Sequence, residues 1–213
     1  MKEHFNNTLR NKLNASKVIV APKFETIESV PYVIDALLDG GIKIIEITLR
    51  TTIAIDCIRK VTEQFPEMNV IAGTVIEMEQ LQKVQDAGVI AAVSPGIQPK
   101  ILEYAKKIKL PFAPGVATPS EIALGLELEC NVFKFFPAEM LGGIKYLRRI
   151  YSSYAHKEIQ FIPLGGIDTS NAYEYLKEPS VLAIGGSWVA DQELINNQDW
   201  EEIKKRAIVA SQL

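Results

Sequence analysis

The sequence contains 213 residues, of which 47% are hydrophobic and 23% charged, and its formal net charge is −3. These values are typical of a globular protein with a sizeable core, and the mild acidity argues against a nucleic-acid-binding surface. No apolar stretch approaches the ~20 residues of a membrane span, and the N-terminus lacks the apolar segment of a signal peptide. We therefore expect a cytoplasmic protein without a nucleic-acid or membrane partner.

Short β-branched apolar runs alternate with longer amphipathic stretches along the chain. A helix is predicted at about 4–13 and another at about 198–211. No linker-like stretch divides the chain, which indicates a single domain over 1–213. The predicted strands, in chain order, are 18–21, 43–48, 69–73, 90–93, 111–113, 132–135, 160–163 and 181–184.

The segments between the strands have the apolar spacing of helices that pack on a sheet. Val30, Ile34 and Leu37 recur on one helical face, and Gly40 follows them as a stop signal. Because alternating strands and helices imply parallel pairing through crossovers, the pattern predicts a (β/α)8 TIM barrel over about 17–190, with the N-terminal helix as an addition. An open doubly wound sheet is the alternative, but no G-x-G-x-x-G sequence follows the first strand.

The sequence offers few ligands for a metal. Its cysteines, Cys57 and Cys130, lie far apart, and its histidines are His4 and His156. Since none of these has the spacing of a zinc site, we expect no metal and no cofactor. Two packed free thiols in a reducing compartment are the simpler interpretation of the cysteines.

The active site of such a barrel lies at the carboxyl ends of its strands. In strand 43–48, Glu46 and Thr48 share the parity that faces the interior, and Arg50 follows at the rim. A structural ion pair between Glu46 and Arg50 is the alternative interpretation.

Polar or small residues also end the next two strands. Thr74 follows strand 69–73, and Ser94 and Pro95 follow strand 90–93. Taken alone, Thr74 is better explained as the cap of the next helix and Ser94 as a residue that orders its loop.

Lys134 is the charged residue of an otherwise apolar run, 132–137. Val132, Lys134 and Phe136 share one face of the predicted strand. Burying an ammonium beside aromatic rings is costly, and burial favours the neutral amine, which is the nucleophilic form. The alternative is a strand-end lysine whose amine reaches water.

Glycine pairs follow the last two predicted strands, at the two positions where barrels commonly bind phosphate. Bare backbone N–H groups at a helix N-terminus favour a dianion, whereas simple tight turns are the alternative. The sequence therefore predicts a phosphate cradle formed by Gly165-Gly166 and Gly185-Gly186-Ser187.

Three further residues have structural interpretations. Asp168 and Ser170 have the residue types of helix N-caps, and Trp188 is expected to pack rather than bind. Together, a lysine in an apolar setting, an inward carboxylate, an arginine at the rim and an anion cradle predict a site for an anionic, phosphorylated carbonyl compound.

The chain resembles the family of 2-keto-3-deoxy-6-phosphogluconate (KDPG) and 4-hydroxy-2-oxoglutarate (KHG) aldolases. The most specific matches are Phe133-Lys134-Phe135-Phe136-Pro137-Ala138-Glu139 and Gly185-Gly186-Ser187-Trp188. The other matching segments, in the order and spacing of the family, are 46–50, 72–75, 94–96 and 165–167.

The resemblance implies a class I, metal-independent pyruvate aldolase with the TIM-barrel fold, assembled as a homotrimer. Such enzymes are carbon–carbon lyases of carbohydrate metabolism, including the Entner–Doudoroff pathway. They cleave KDPG to pyruvate and glyceraldehyde 3-phosphate, and many also cleave 4-hydroxy-2-oxoglutarate to pyruvate and glyoxylate.

The resemblance also implies roles for the site residues. Lys134 forms a Schiff base with the C2 ketone, and Glu46, acting through a water, is the general acid and base. Arg50 and Thr74 hold the pyruvyl carboxylate and its neighbouring oxygen. Pro95 shapes that wall, and the phosphate goes to the cradle of Gly165, Gly166, Gly186 and Ser187.

Leu164 departs from the gluconate-specific pattern, in which threonine precedes Gly-Gly-Ile. The related enzymes that act on the galactonate epimer tend to have an aliphatic residue there. An aldolase of 2-keto-3-deoxy-6-phosphogalactonate is therefore one alternative function, and a non-aldolase phosphosugar-binding barrel is another. Loss of a hydroxyl at this position would change discrimination between the epimers.

Overall fold

Parallel strands linked by helices form the core of the structure, a computed structural model that describes residues 5–213. The strands are β1 (Val18–Val20), β2 (Ile44–Thr48), β3 (Asn69–Gly73), β4 (Ala91–Val93), β5 (Phe112–Ala113), β6 (Gly115–Val116), β7 (Val132–Phe135), β8 (Gln160–Pro163) and β9 (Ile184–Gly186). They form a six-stranded sheet in the order β5-β4-β3-β2-β1-β9 and a three-stranded sheet in the order β6-β7-β8. The predicted α/β class is confirmed.

Helices connect the strands, except β5 and β6, and cover the outer face of the sheets. They are α1 (Asn7–Ser16), α2 (Ser29–Asp39), α3 (Ala54–Gln64), α4 (Met78–Asp86), α5 (Pro99–Lys107), α6 (Pro119–Glu127), α7 (Gly143–Tyr151), α8 (Ala172–Leu176), α9 (Gln192–Asn196) and α10 (Trp200–Ser211), with short 3-10 turns at Glu139–Leu141 and Ser152–Tyr154. Within residues 5–213, none of these helices is long and apolar enough to cross a membrane.

The two sheets curl towards one another at both of their edges. Pro114 alone separates β5 from β6. At the other edge, isolated parallel bridges join Phe161 to Val181 and Leu164 to Gly185. The strands therefore form a curved wall with an inner and an outer face.

The alternation of side chains along each strand divides the core into an outer and an inner layer. Ile45 and Ile47 of β2 belong to the large cluster that packs against the helices. Ile44 of β2 and Val132 of β7 belong to a smaller cluster inside the curved wall. The parity predicted for these two strands is thus the observed one.

Helix α1 closes the end of this interior at which the strands begin. Phe5, Leu9 and Leu13 are buried in the inner cluster. The helix starts at Asn7 because the side chain of Asn6 caps it, its Oδ1 accepting a hydrogen bond of 2.9 Å from the backbone N–H of Leu9. His4, where the predicted helix 4–13 begins, lies outside the described residues.

The last strand differs from its prediction. It runs over Ile184–Gly186 rather than 181–184, because β1 pairs Val18 with Ile184 and Val20 with Gly186. Val181 makes only an isolated bridge to Phe161. The β-branched and apolar residues of 181–184 favoured a strand there, whereas the glycines suggested a turn.

Candidate active site

A cavity of about 340 Å³ lies where the strands end, beyond the inner apolar cluster. It brings together all of the site residues predicted from the sequence, which come from six different strand ends. These residues are Glu46, Arg50, Thr74, Pro95, Lys134, Leu164, Gly165, Gly166, Gly186 and Ser187.

A larger cavity, of about 650 Å³, lies between α2 and the segment that contains α9 and α10. Its wall includes Glu25 and the stacked rings of Tyr32 and Trp200, whose centroids are 5.5 Å apart. The described residues that line it include neither lysine nor arginine, which a phosphorylated acid would require. The smaller cavity is therefore the better candidate for the predicted chemistry.

Lys134 and Glu46 form an ion pair at the inner end of the smaller cavity. Nζ of Lys134 donates a hydrogen bond of 2.7 Å to Oε1 of Glu46, and the two side chains are 6% and 3% exposed. Nζ also lies 5.4 Å from the centroid of the Phe136 ring. Lys134 therefore does not reach water as a strand-end lysine would.

A glycine provides the space that Glu46 occupies. A Cβ atom on Gly73 would lie 2.1 Å from Oε1 of Glu46 and 2.7 Å from its Cδ. Gly73 is paired with Thr48 in the sheet, so its backbone cannot easily retreat. The carboxylate is thus held between a bare backbone position on β3 and the amine on β7.

Arg50 lies at the rim and does not pair with Glu46. Its Nε donates a hydrogen bond of 3.2 Å to Oγ1 of Thr48, and its side chain is exposed. The alternative of a Glu46–Arg50 ion pair is therefore wrong. Thr48 shares the inward parity of Glu46 and orients the guanidinium towards the cavity, which both residues line.

Thr74 has an unusual backbone conformation. Its φ of 57° lies in the left-handed region, which is a genuine outlier for a β-branched residue. It does not cap the next helix, since the N-cap of α4 is Glu77. Strain of this kind clusters at binding and catalytic sites, which favours a functional role for Thr74.

Ser94 and Pro95 form the neighbouring wall. Oγ of Ser94 donates a hydrogen bond of 2.6 Å to the carbonyl of Gly96, so Ser94 orders its own loop, as predicted from the sequence. A Cβ on Gly115 would lie 2.1 Å from the carbonyl oxygen of Pro95, and the close approach of these two segments fixes Pro95 at the cavity.

The predicted phosphate cradle forms the opposite wall. Gly165 and Gly166 turn the chain after β8 with φ of 99° and 79°, conformations that glycine adopts readily. Gly186 is the last residue of β9 rather than part of a loop, and Ser187 follows it in an exposed position. The cradle is therefore half turn and half strand end.

Leu164 packs on the glycine of the neighbouring strand. It bridges to Gly185, and a Cβ there would lie 2.6 Å from Cγ of Leu164. Leu164 is buried, but it also lines the cavity between Lys134 and the glycine turn.

The predicted capping role of Asp168 and Ser170 is wrong in detail, because α8 begins at Ala172 and its N-cap is Asn171. The carboxylate of Asp168 instead accepts hydrogen bonds from Oγ and the backbone N–H of Ser170, at 2.6 and 2.8 Å. These bonds hold the pKa of Asp168 below its usual range.

Four apolar residues line the cavity without having been predicted for it. Phe136 could have been found from the parity that it shares with Lys134, and Trp188 from its position directly after the cradle. Trp188 also packs as expected, since its ring occupies the space that a Cβ on Gly186 would need. The four residues are Ala21, Phe136, Ile167 and Trp188.

The two thiols are separate from the cavity. Cys57 and Cys130 are free and buried, and burial raises their pKa to about 11 and about 12. They are not suited to nucleophilic chemistry near neutral pH. Among residues 5–213, no group of three or more His, Cys, Asp or Glu side chains is arranged to hold a metal ion.

The sequence matches the family model described as KDPG and KHG aldolase over residues 9–206. It is 41% identical over 190 residues to the KHG/KDPG aldolase of Escherichia coli K12, covering 89% of this chain and 87% of that protein. It is also 34% identical over 192 residues to the 2-dehydro-3-deoxy-phosphogluconate aldolase of Haemophilus influenzae, covering 90% of each chain.

Solved structures agree with these matches. The fold superposes with a TM-score of 0.90 and 37% identity on a KDPG aldolase from Legionella pneumophila that holds pyruvate as a covalent carbinolamine, covering 94% of this chain and 97% of that one. The KDPG aldolase of Zymomonas mobilis with 3-phosphoglycerate gives a TM-score of 0.87 and 35% identity, covering 95% and 94%.

Proposed function

This chain belongs to the KDPG and KHG aldolase family, and from that premise we propose that it is a class I aldolase that cleaves KDPG to pyruvate and glyceraldehyde 3-phosphate. We propose 4-hydroxy-2-oxoglutarate, which gives pyruvate and glyoxylate, as a second substrate. The single observation that carries the proposal is the buried hydrogen bond of 2.7 Å between Lys134 and Glu46, at the inner end of a cavity with an arginine at its rim.

The first steps make the Schiff base. Glu46 takes a proton from Lys134, and the neutral amine adds to the C2 ketone of the substrate. The carbinolamine then loses its hydroxyl group as water, with a proton returned by Glu46. A proton donor and acceptor at hydrogen-bond distance is needed for both steps, and Glu46 meets that requirement.

Cleavage uses the imine as an electron sink. The C3–C4 bond breaks, its electron pair moves to the imine nitrogen through the new C2–C3 double bond, and the proton of the C4 hydroxyl passes through a water to Glu46. The aldehyde leaves, and the enamine takes a proton at C3. Hydrolysis of the resulting imine releases pyruvate and restores Lys134.

The pyruvyl end of the substrate lies between the lysine and the rim. The guanidinium of Arg50 binds the carboxylate, and the hydroxyl of Thr74 binds the neighbouring oxygen, with Pro95 as the wall beside them. The contact between Arg50 and Thr48 supports this assignment, since it limits the orientations of a side chain that is otherwise exposed.

The phosphate end lies in the cradle of Gly165, Gly166, Gly186 and Ser187. Backbone N–H groups of glycine can approach an anion closely because no side chain intervenes. The cradle lines the same cavity as Lys134, which supports a substrate with a reactive ketone at one end and a phosphate at the other.

Leu164 favours a second candidate, an aldolase of the galactonate epimer. Leu164 lines the cavity together with Lys134 and the glycine turn, and in the proposed binding mode it would face the carbon atoms that become the aldehyde. A leucine there offers no hydroxyl group to a C4 substituent, so discrimination between the C4 epimers falls to shape alone.

The finer features of the fold and assembly belong to the same proposal. The bridges between β8 and β9 and the continuity of β5 and β6 around Pro114 support a closed (β/α)8 barrel with α1 as an additional N-terminal helix. The homotrimer rests on the family resemblance and the cytoplasmic location on the expectation from the sequence. Sedimentation equilibrium of the purified protein tests the trimer.

Trapping with borohydride tests the function. Incubation with pyruvate and borohydride should inactivate the enzyme and leave a reduced pyruvyl adduct on Lys134, detected by peptide mass spectrometry. Lys134→Arg, which retains a positive charge, is the matched control and should take up no adduct. A folded wild-type protein that binds phosphorylated sugar acids without forming the adduct would instead be a phosphosugar-binding barrel.

A further inference from the structure

Glu139 lies behind the glycine turn of the phosphate cradle, outside the cavity. A Cβ on Gly166 would lie 2.7 Å from Cβ of Glu139, and a Cβ on Gly143 would lie 2.9 Å from its Oε1. The side chain of Glu139 therefore passes between two bare backbone positions, one in the cradle and one at the start of α7.

The end of this side chain is held by a buried tyrosine. The hydroxyl of Tyr175 in α8 donates a hydrogen bond of 2.5 Å to Oε1 of Glu139, and Tyr175 is 1% exposed. Because α8 directly follows the cradle in the chain, the bond ties the segment after the glycine turn back to the turn that follows Lys134 and β7.

Backbone bonds make the same connection. The N–H groups of Ala138 and Glu139 donate to the carbonyls of Leu164 and Gly165 at 2.8 and 3.0 Å. On the other side, Nδ2 of Asn171 donates to the carbonyl of Gly166 at 2.9 Å. The glycine turn is thus supported from two directions, and one of these supports begins at Ala138, four residues after the proposed nucleophile.

Such support matters because Gly165 and Gly166 are glycines, the residue type whose backbone has the most conformational freedom. A turn that is mobile before binding must lose that freedom when it closes on an anion, and this loss reduces affinity. A turn that is already fixed at the correct distance from Lys134 avoids most of this entropy loss on binding.

We propose that Glu139 and Tyr175 are positioning residues that fix the Gly165–Gly166 turn relative to the strand of Lys134 and thereby increase the affinity for the phosphate end of the substrate. The inference rests on the proposed function, in which that turn receives the phosphate. Neither residue lines the cavity, so neither is a catalytic residue.

Two substitutions remove the hydrogen bond between Tyr175 and Glu139, and a third retains it. Tyr175→Phe removes the donor and Glu139→Ala the acceptor, and because Glu139 is exposed the alanine variant is expected to fold even if a change in the core does not. In each variant, KM for the phosphorylated substrate should rise about five- to tenfold, because the loss of one hydrogen bond weakens binding by about this factor. Glu139→Gln retains an acceptor for Tyr175 and removes a negative charge, so its KM should equal or fall below that of the wild type.

Tyr173→Phe is the matched control, since Tyr173 lies on the same helix and is 57% exposed. It should behave as the wild type.

The second measurement is the pyruvate concentration that gives half-maximal inactivation by borohydride, which depends on Lys134 and the pyruvyl end alone. Positioning of the cradle predicts that this value is unchanged in all four variants.

A merely structural role would weaken both measurements in parallel, and that result would overturn the proposal. A KM unchanged in Tyr175→Phe and Glu139→Ala would overturn it as well. Failure of the proposed function is distinguishable, because wild-type protein would then form no pyruvyl adduct on Lys134 at all.

Discussion

Nζ of Lys134 and Oε1 of Glu46 are 2.7 Å apart although 88 residues separate them in the chain. The amine comes from β7 and the carboxylate from β2, and both side chains are almost fully withdrawn from water. Replacing a buried ion pair with apolar residues often leaves stability unchanged or improves it, so stability alone does not explain this pair. The proposed proton exchange between a nucleophile and its acid–base partner accounts for it.

Glu46→Gln separates the two halves of the mechanism. The amide cannot accept a proton, so turnover of the phosphorylated substrate should fall by about 10²–10⁴-fold. The pyruvyl adduct on Lys134 should still form, but slowly, because the amine is retained. The measurements are steady-state cleavage and the time course of borohydride trapping, and near-normal cleavage by this variant would remove Glu46 from the acid–base role.

Gly73→Ala tests the position of Glu46 without changing its chemistry. The new methyl group would lie 2.1 Å from Oε1 of Glu46, so the carboxylate must leave its present position and its geometry relative to the Lys134 amine must change. A displacement of about 1 Å in a catalytic group can reduce kcat/KM by about 10²-fold, and we expect a loss of this order.

The matched control for this change is Gly96→Ala. No atom lies within 4 Å of the position that its Cβ would take, so activity should remain within about twofold of the wild type. Equal activity in both alanine variants would show that the close contact at Gly73 does not constrain the carboxylate.

Leu164→Thr tests the choice between epimers. We expect the wild type to show no strong preference for the gluconate substrate, and the threonine variant to shift the ratio of kcat/KM towards gluconate by about tenfold or more, since a new hydroxyl can bind the C4 substituent. The measurement is kcat/KM for both epimers with both proteins. A strong gluconate preference in the wild type that the substitution leaves unchanged would show that this position does not govern the choice.

The buried thiols predict a loss of stability at alkaline pH. Burial raises the pKa of Cys57 to about 11 and of Cys130 to about 12, against about 8.5 in an unfolded chain. The folded state therefore retains protons that the unfolded state releases. The contribution is complete below about pH 8.5 and is lost as the pH rises towards the folded-state values, by up to about 1.4 kcal/mol per pH unit for each thiol.

Urea unfolding between pH 8 and 10 measures this effect. The free energy of unfolding should fall more steeply with pH in the wild type than in a variant with alanine at both Cys57 and Cys130. The alanine variant carries the same lysines and tyrosines, so their titration cancels in the comparison. Identical slopes would show that the thiols do not contribute.

The alternation of side chains made much of the site predictable from the sequence. Because the strand period is two, the inward direction of Glu46 and Lys134 followed once their strands were located. Phe136 was predicted on the same face as Lys134, and the structure places it in the cavity wall.

Contacts between distant segments could not be predicted in the same way. The partner of Glu46 is set by a contact across 88 residues, since the structure pairs Glu46 with Lys134 and not with the nearby Arg50, which bonds to Thr48. The last strand was misplaced because its pairing with β1 recruits Gly185 and Gly186, whose residue type suggests a turn. At this position the pairing with β1 determined the strand, although the residue types favour a turn.

Helix α1 has a kinetic consequence. Its residues Leu9 and Leu13, together with Phe5 just before the helix, fill the interior at the end where the strands begin, so no path reaches the site from that end. The proposed aldehyde product is free once the C3–C4 bond breaks, whereas pyruvate is still bonded to Lys134, so the aldehyde diffuses out first. We expect ordered product release, with pyruvate last, and an enzyme that excess pyruvate inhibits competitively by occupying the innermost position of a passage with one opening.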